Sequence, residues 1–145
     1  MRKIKEIILH CSETPEGKEF KAKDIDSWHK QKGWKCIGYH FVIDLDGKIE
    51  EGRPVEMIGS HAKGHNSNSI GICYIGGTEK DNLKVPKDTR TDAQKESMFA
   101  LVFLLLQQYN LTIDDVYGHY QFSDKACPSF SIETFKEEYL EWLQT

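Results

Sequence analysis

The sequence predicts an α/β (α+β) fold: a central mixed β-sheet of about five strands carrying about three packed helices, in one domain over residues 1–145. Three observations predict it. Strand-like runs rich in Ile, Val, Tyr and Phe alternate with segments of helical periodicity, the pattern of a sheet covered by helices. Asp46-Gly47 lies between two of those runs and is a strong hairpin signal, so the sheet is mixed. A length of 145 residues suits a single domain that buries its core without disulfide or metal staples, which makes any metal functional rather than structural.

The strand-like runs are Lys5 to Cys11, Tyr39 to Leu45, Lys48 to Gly52, Ser69 to Ile75 and Asp115 to Tyr120. Helices are expected over Lys23 to Lys32, Asp92 to Tyr109 and Ile132 to Leu143. The middle helix is the best marked. Thr91 followed by Gln94 forms a capping box, and Met98, Leu101, Val102, Leu105 and Tyr109 recur at helical spacing. No internal repeat or linker interrupts the chain, and its most polar stretch, Gly76 to Arg90, reads as a surface loop.

Composition excludes several function classes. The formal charge is −4 with Lys and Arg scattered, so the basic stripe of a nucleic-acid binder is missing and no nucleic-acid partner is expected. The apolar run Ile7, Ile8 and Leu9 is too brief for a signal peptide, and the longest apolar stretch, Met98 to Leu106, is too short to cross a bilayer. The expectation is cytoplasmic synthesis without an export signal, no membrane insertion, and a monomer. Cys11, Cys36, Cys73 and Cys127 then read as reduced thiols rather than a disulfide framework.

The chemistry-bearing residues cluster at strand ends. His10 closes the first strand, where an α/β sheet opens onto its ligand crevice. Its neighbour Cys11 must point to the opposite face, so the two cannot serve one centre. His119 lies near the end of the last strand, and Cys127 follows after "YQFSDKA", a loop long enough to turn back towards that end. His10, His119 and Cys127 match an open catalytic zinc site, with three protein ligands and water in the fourth position. The same residues also allow a Cys127 thiolate with His10 or His119 as its base. A small buried thiol and hydrogen-bonded sheet histidines are the plain packing reading. Spacing alone leaves all three open.

Four ordered segments, "HCSET", "WHKQKGWKCIGYHFVID", "GSHAKGHNSNSIGICYIGG" and "GHYQFSDKACPSF", resemble the phage-type N-acetylmuramoyl-L-alanine amidases, whose fold is shared with the peptidoglycan recognition proteins. The resemblance runs from about Ile8 to Phe130. It implies a catalytic Zn2+ held by His10, His119 and Cys127, with Tyr39 of "GYHF" and Lys125 of "KACPSF" beside it. It also places His61 along the substrate groove.

The implied roles are physically reasonable. Zinc makes water a usable nucleophile near neutral pH. Lys125 suits the oxygen that turns negative at the attacked carbonyl, and Tyr39 can orient the water. Asn68 is expected to tie its loop to the following strand, Trp28 to be core, and His40, pointing away from Tyr39, to lie outside the site. Cys11, Cys36 and Cys73 read as structural thiols.

The implied reaction is cleavage of the amide between N-acetylmuramic acid and L-alanine in peptidoglycan. The implied partner is peptidoglycan or a muropeptide. Members lacking the metal cysteine only bind muropeptide, and Cys127 argues against that alternative. A cysteine peptidase on the same fold would survive chelation but not alkylation. Only Cys36 falls where animal members bridge a cysteine pair, and no separate wall-binding domain follows, which favours a compact phage or prophage enzyme. Access to the wall by holin-assisted release, and recycling of fragments in the cytoplasm, both stay open.

Overall fold

A computed structural model describes all 145 residues. Ten helices and strands follow one another: β1 (Glu6–Cys11), β2 (Thr14–Pro15), α1 (Ala22–Gln31), β3 (Phe41–Ile43), β4 (Ile49–Glu51), β5 (Ser69–Tyr74), β6 (Gly77–Thr78), α2 (Asp92–Gln108), β7 (Val116–Gly118) and α3 (Ile132–Leu143). The main sheet has five strands in the order β4-β3-β5-β1-β7. All its pairs are parallel except β3 with β4. The mixed sheet with three helices expected from the sequence is therefore present.

Alternation along the strands divides the sheet into two faces. Ile7, Leu9 and Cys11 of β1, Ile70, Ile72 and Tyr74 of β5, and Val116 of β7 meet Met98, Leu101, Val102 and Leu105 of α2 and Phe135 and Tyr139 of α3. On the other face a smaller cluster joins Val42, Cys73 and Ile75 to Ile25 of α1 and Ile37. The result is three layers with the sheet in the middle. No helix is long and apolar enough to cross a membrane.

The local signals act as expected where they are chemically explicit. Thr91 Oγ1 accepts from the Gln94 N–H at 3.0 Å, and Gln94 Oε1 accepts from the Thr91 N–H at 2.9 Å. Gly47 takes a left-handed φ of 88° in the β3-β4 turn, where an added Cβ would meet the Ala93 carbonyl oxygen at 2.8 Å.

Two of the boundaries that differ from the sequence reading bear on the site. Tyr39 and His40 precede β3 rather than lying in it, and the last strand stops at Gly118, so that His119 opens a 3-10 turn ending at Gln121. The short parallel pair of β2 with β6, Thr14 opposite Gly77, has no sequence signal because two residues carry no periodicity.

Candidate metal centre

Parallel register builds the centre. Leu9 pairs with Gly118, so the next residues, His10 and His119, emerge side by side with ring centroids 4.5 Å apart. The chain then leaves the sheet in the 3-10 turn and loops back. The Tyr120 N–H donates to the Cys127 carbonyl oxygen at 2.8 Å, which returns the cysteine to the end of β1. Cys127 Sγ accepts from the Cys11 backbone N–H at 3.2 Å and lies 3.8 Å from His10 Nδ1. Cys11 itself points to the α2 and α3 face, as alternation requires.

The donor atoms of His10, His119 and Cys127 all lie within 4.8 Å of one another. A tetrahedral zinc ion with bonds of ~2.3 Å to sulfur and ~2.0–2.1 Å to nitrogen sets such a pair of donors roughly 3.6 Å apart. The 3.8 Å between His10 Nδ1 and Cys127 Sγ fits that ion. Two imidazoles and one thiol also match its borderline-soft character. His10 and Cys127 are buried while His119 is half-buried, which leaves an approach from the cleft.

That cleft has a volume of about 560 Å³ and includes Trp28, His29, Trp34, Tyr39, His61 and Lys125 in its lining. Tyr39 is half-buried, with its ring centroid 4.9 Å from that of His10. Burial, with nearby thiols adding to it, pushes the Tyr39 phenol well above its ordinary range, so it keeps its proton. Lys125 is exposed at the rim, its Nζ 3.5 Å from Glu13 Oε2. Trp28 is only half-buried. It packs edge-on to Phe20 at 5.0 Å while also lining the cleft.

The imidazoles are held neutral. Burial, reinforced by His61, His119 and Lys125, keeps His10 well below the ordinary range. Burial and then Lys125 lower His119 as well. Each therefore offers a lone pair at neutral pH, as a metal ligand must. The hydrogen-bonded Cys11 thiol, with burial adding to it, holds the Cys127 thiol up, so metal binding would displace its proton.

The structure also locates residues that spacing could not. His61 is buried against the sheet rather than solvated: its Nδ1 lies 2.8 Å from His10 Nε2 and its Nε2 3.1 Å from Ser69 Oγ. Asn66, rather than Asn68, ties this loop, because its Oδ1 accepts from the N–H groups of both His61 and Ala62 at 2.9 Å. Asn68 Nδ2 instead donates to the Lys3 carbonyl ahead of β1. His40 stays outside the metal cluster, with Nδ1 accepting from the Gly71 N–H and Nε2 facing the Met57 carbonyl. All four cysteines are free thiols.

The N-acetylmuramoyl-L-alanine amidase family model matches residues 1–130. The endolysin of Escherichia phage T7 is 40% identical over 132 residues, covering 91% of this chain and 85% of the phage protein. The N-acetylmuramoyl-L-alanine amidase LysC from Clostridium intestinale URNW superposes with a TM-score of 0.79 at 33% identity, covering 94% of this chain and 85% of that one. A Drosophila PGRP-LB mutant in complex with tracheal cytotoxin superposes with a TM-score of 0.72 at 25% identity, covering 88% and 76% of the two chains. A family match over most of the sequence thus coincides with a donor cluster at the strand ends: the chain belongs to the N-acetylmuramoyl-L-alanine amidase family.

Proposed function

We propose that this chain is a zinc-dependent amidase whose one domain, residues 1–145, hydrolyses the bond between the lactyl group of N-acetylmuramic acid and L-alanine in peptidoglycan. The amidase activity rests on family membership and on the endolysin relatives. The observation that carries the metal is the convergence of His10, His119 and Cys127, with His119 lining an open cleft. The complex of the Drosophila relative with tracheal cytotoxin supports a muropeptide as the cleft's occupant. Its place of action is the cell wall, reached after holin-assisted release, a reading supported by the phage relatives.

His10 Nδ1, one nitrogen of His119 and Cys127 Sγ would hold the ion. When bound, zinc supplies Lewis-acid activation of water and of the scissile carbonyl. Tyr39 orients the attacking water through its phenol, which its raised pKa keeps protonated and able to donate. Lys125 brings its ammonium to the carbonyl oxygen as that oxygen turns negative. Its partner Glu13 is an exposed carboxylate, and such pairs hold weakly, so the ammonium is free to swing inward.

The deciding experiment is metal analysis of the purified protein, with chelation and zinc add-back during a wall-lysis assay. One zinc per chain and activity that disappears and returns with the metal are expected. Active protein holding well under one zinc per chain would overturn the zinc reading. Activity that survives chelation but not thiol alkylation would mean cysteine chemistry.

A further inference from the structure

His10 has two ring nitrogens with different neighbours. Nδ1 faces Cys127 Sγ at 3.8 Å, whereas Nε2 faces away from the donor cluster to His61 Nδ1 at 2.8 Å. A neutral imidazole carries a single N–H, and a ligand nitrogen must keep its lone pair. If Nδ1 takes the metal, the proton must sit on Nε2 and be donated to His61 Nδ1. His61 must then carry its own proton on Nε2, which lies 3.1 Å from Ser69 Oγ. The chain His10, His61, Ser69 therefore has one polarity.

The surroundings hold that chain in place. His61 fits against β5 because residue 71 is glycine: a Cβ there would meet the His61 ring at 2.7 Å. Gly59 leaves the same room on the other side, again with 2.7 Å from an added Cβ to His61 Cδ2. Asn66 fixes the His61 backbone. Water has little access, since the relative exposures of His10, His61 and Ser69 are 1%, 9% and 0%.

We propose that His61 is a positioning residue that selects the metal-binding tautomer of His10 and fixes its ring, with Ser69 setting the tautomer of His61 in turn. The inference rests on the zinc reading above. It assigns the buried face of His61 a task distinct from contacting substrate. A neutral imidazole also orients the ligand without adding a negative charge beside the centre, as the more common carboxylate partner would.

The test uses the whole protein and zinc itself. In the zinc-loaded wild type, long-range ¹H–¹⁵N spectra should show His10 and His61 both protonated on Nε2 and bare on Nδ1. His61→Phe keeps a ring but removes the acceptor, and should weaken zinc affinity, measured against a competing chelator, by about 10–100-fold. His61→Gln, with an amide oxygen able to accept, should recover part of that loss. Ser69→Ala should weaken zinc binding by a smaller factor in the same direction. A proton on His61 Nδ1, or zinc affinity of a folded His61→Phe protein within twofold of wild type, would overturn the proposal. If His61→Phe does not fold, the wild-type tautomers and Ser69→Ala decide. Wild-type protein that fails to hold zinc at all would instead overturn the metal reading, and this inference with it.

Discussion

His10 and His119 stand side by side, ring centroids 4.5 Å apart, because Leu9 of β1 is paired in parallel with Gly118 of β7. Two residues more than a hundred positions apart thus reach one centre through backbone register alone, with Cys127 brought in by the loop that follows.

Cys127→Ser should lose zinc and activity together. A serine hydroxyl is a poor ligand for this ion, whereas serine is close to cysteine in shape and volume, so the buried position keeps its packing and the fold stays intact. Elemental analysis alongside circular dichroism checks this, and a variant that keeps stoichiometric zinc would remove Cys127 from the ligand set.

Lys125→Ala and Tyr39→Phe should retain zinc and substrate binding yet lose on the order of 10²–10³ in kcat, the range for an oxyanion donor or a proton-transfer partner. Steady-state kinetics on soluble muropeptide, with zinc content measured on the same samples, separates this from metal loss. Near-normal kcat with zinc bound would make both residues bystanders.

Hydrolysis should release peptides bearing a free L-alanine amino terminus and leave the glycan strands uncut. Mass spectrometry of digested walls reads both. New reducing sugar ends without new amino termini would mean glycosidic chemistry.

Acid should destabilise the metal-free protein. His29 and His40 are buried, and desolvation brings each down to about 4. The unfolded chain, with histidines near 6.5, then binds more protons than the folded one as pH falls from about 6.5 towards 4. Stability is full above 6.5 and is lost across that window, by on the order of 1 kcal/mol per pH unit for each histidine. Asp44, raised to about 6 chiefly by burial, acts in the opposite sense and offsets part of the loss. Urea midpoints between pH 7 and 5 should fall, and NMR titration should show both rings neutral down to about 4. Titration of both rings near 6.5 would contradict it.

Gln94→Ala should cost more than a helix cap. Besides capping α2, the buried Gln94 amide donates to the carbonyls of Ile43 at 3.2 Å and Ile75 at 3.0 Å, joining the helix to β3 and to the residue after β5. Removing it strands the buried Ile75 carbonyl, at about 1–3 kcal/mol, beyond the roughly 1 kcal/mol of a lost cap, while the Ile43 carbonyl keeps the Ile75 N–H as donor at 3.0 Å. Thermal or urea unfolding checks the sum, and a loss confined to about 1 kcal/mol would mean that water replaces the bond to Ile75.

The sequence by itself determined the class of the fold and the ligand candidates. Alternation of strand-like and helical runs, the Asp46-Gly47 turn and the Thr91 box are local, and local chemistry does not depend on what the rest of the chain does. His10, His119, Cys127, Tyr39 and Lys125 were legible through four ordered motifs, although spacing alone could not choose between a metal, a nucleophile and packing. Tertiary structure decided what those residues face. It brought His119 to His10 through parallel register, set the ring of the cleft-lining His61 against His10 and Ser69, and gave Asn66 the loop-tying task expected of Asn68. It also formed the two-residue pairing of β2 with β6. These outcomes depend on contacts between residues distant in sequence, which leave no periodicity in the chain. The room for His61 comes from Gly71, a side chain that is missing, and an absent Cβ gains its meaning only from the atom that fills its place.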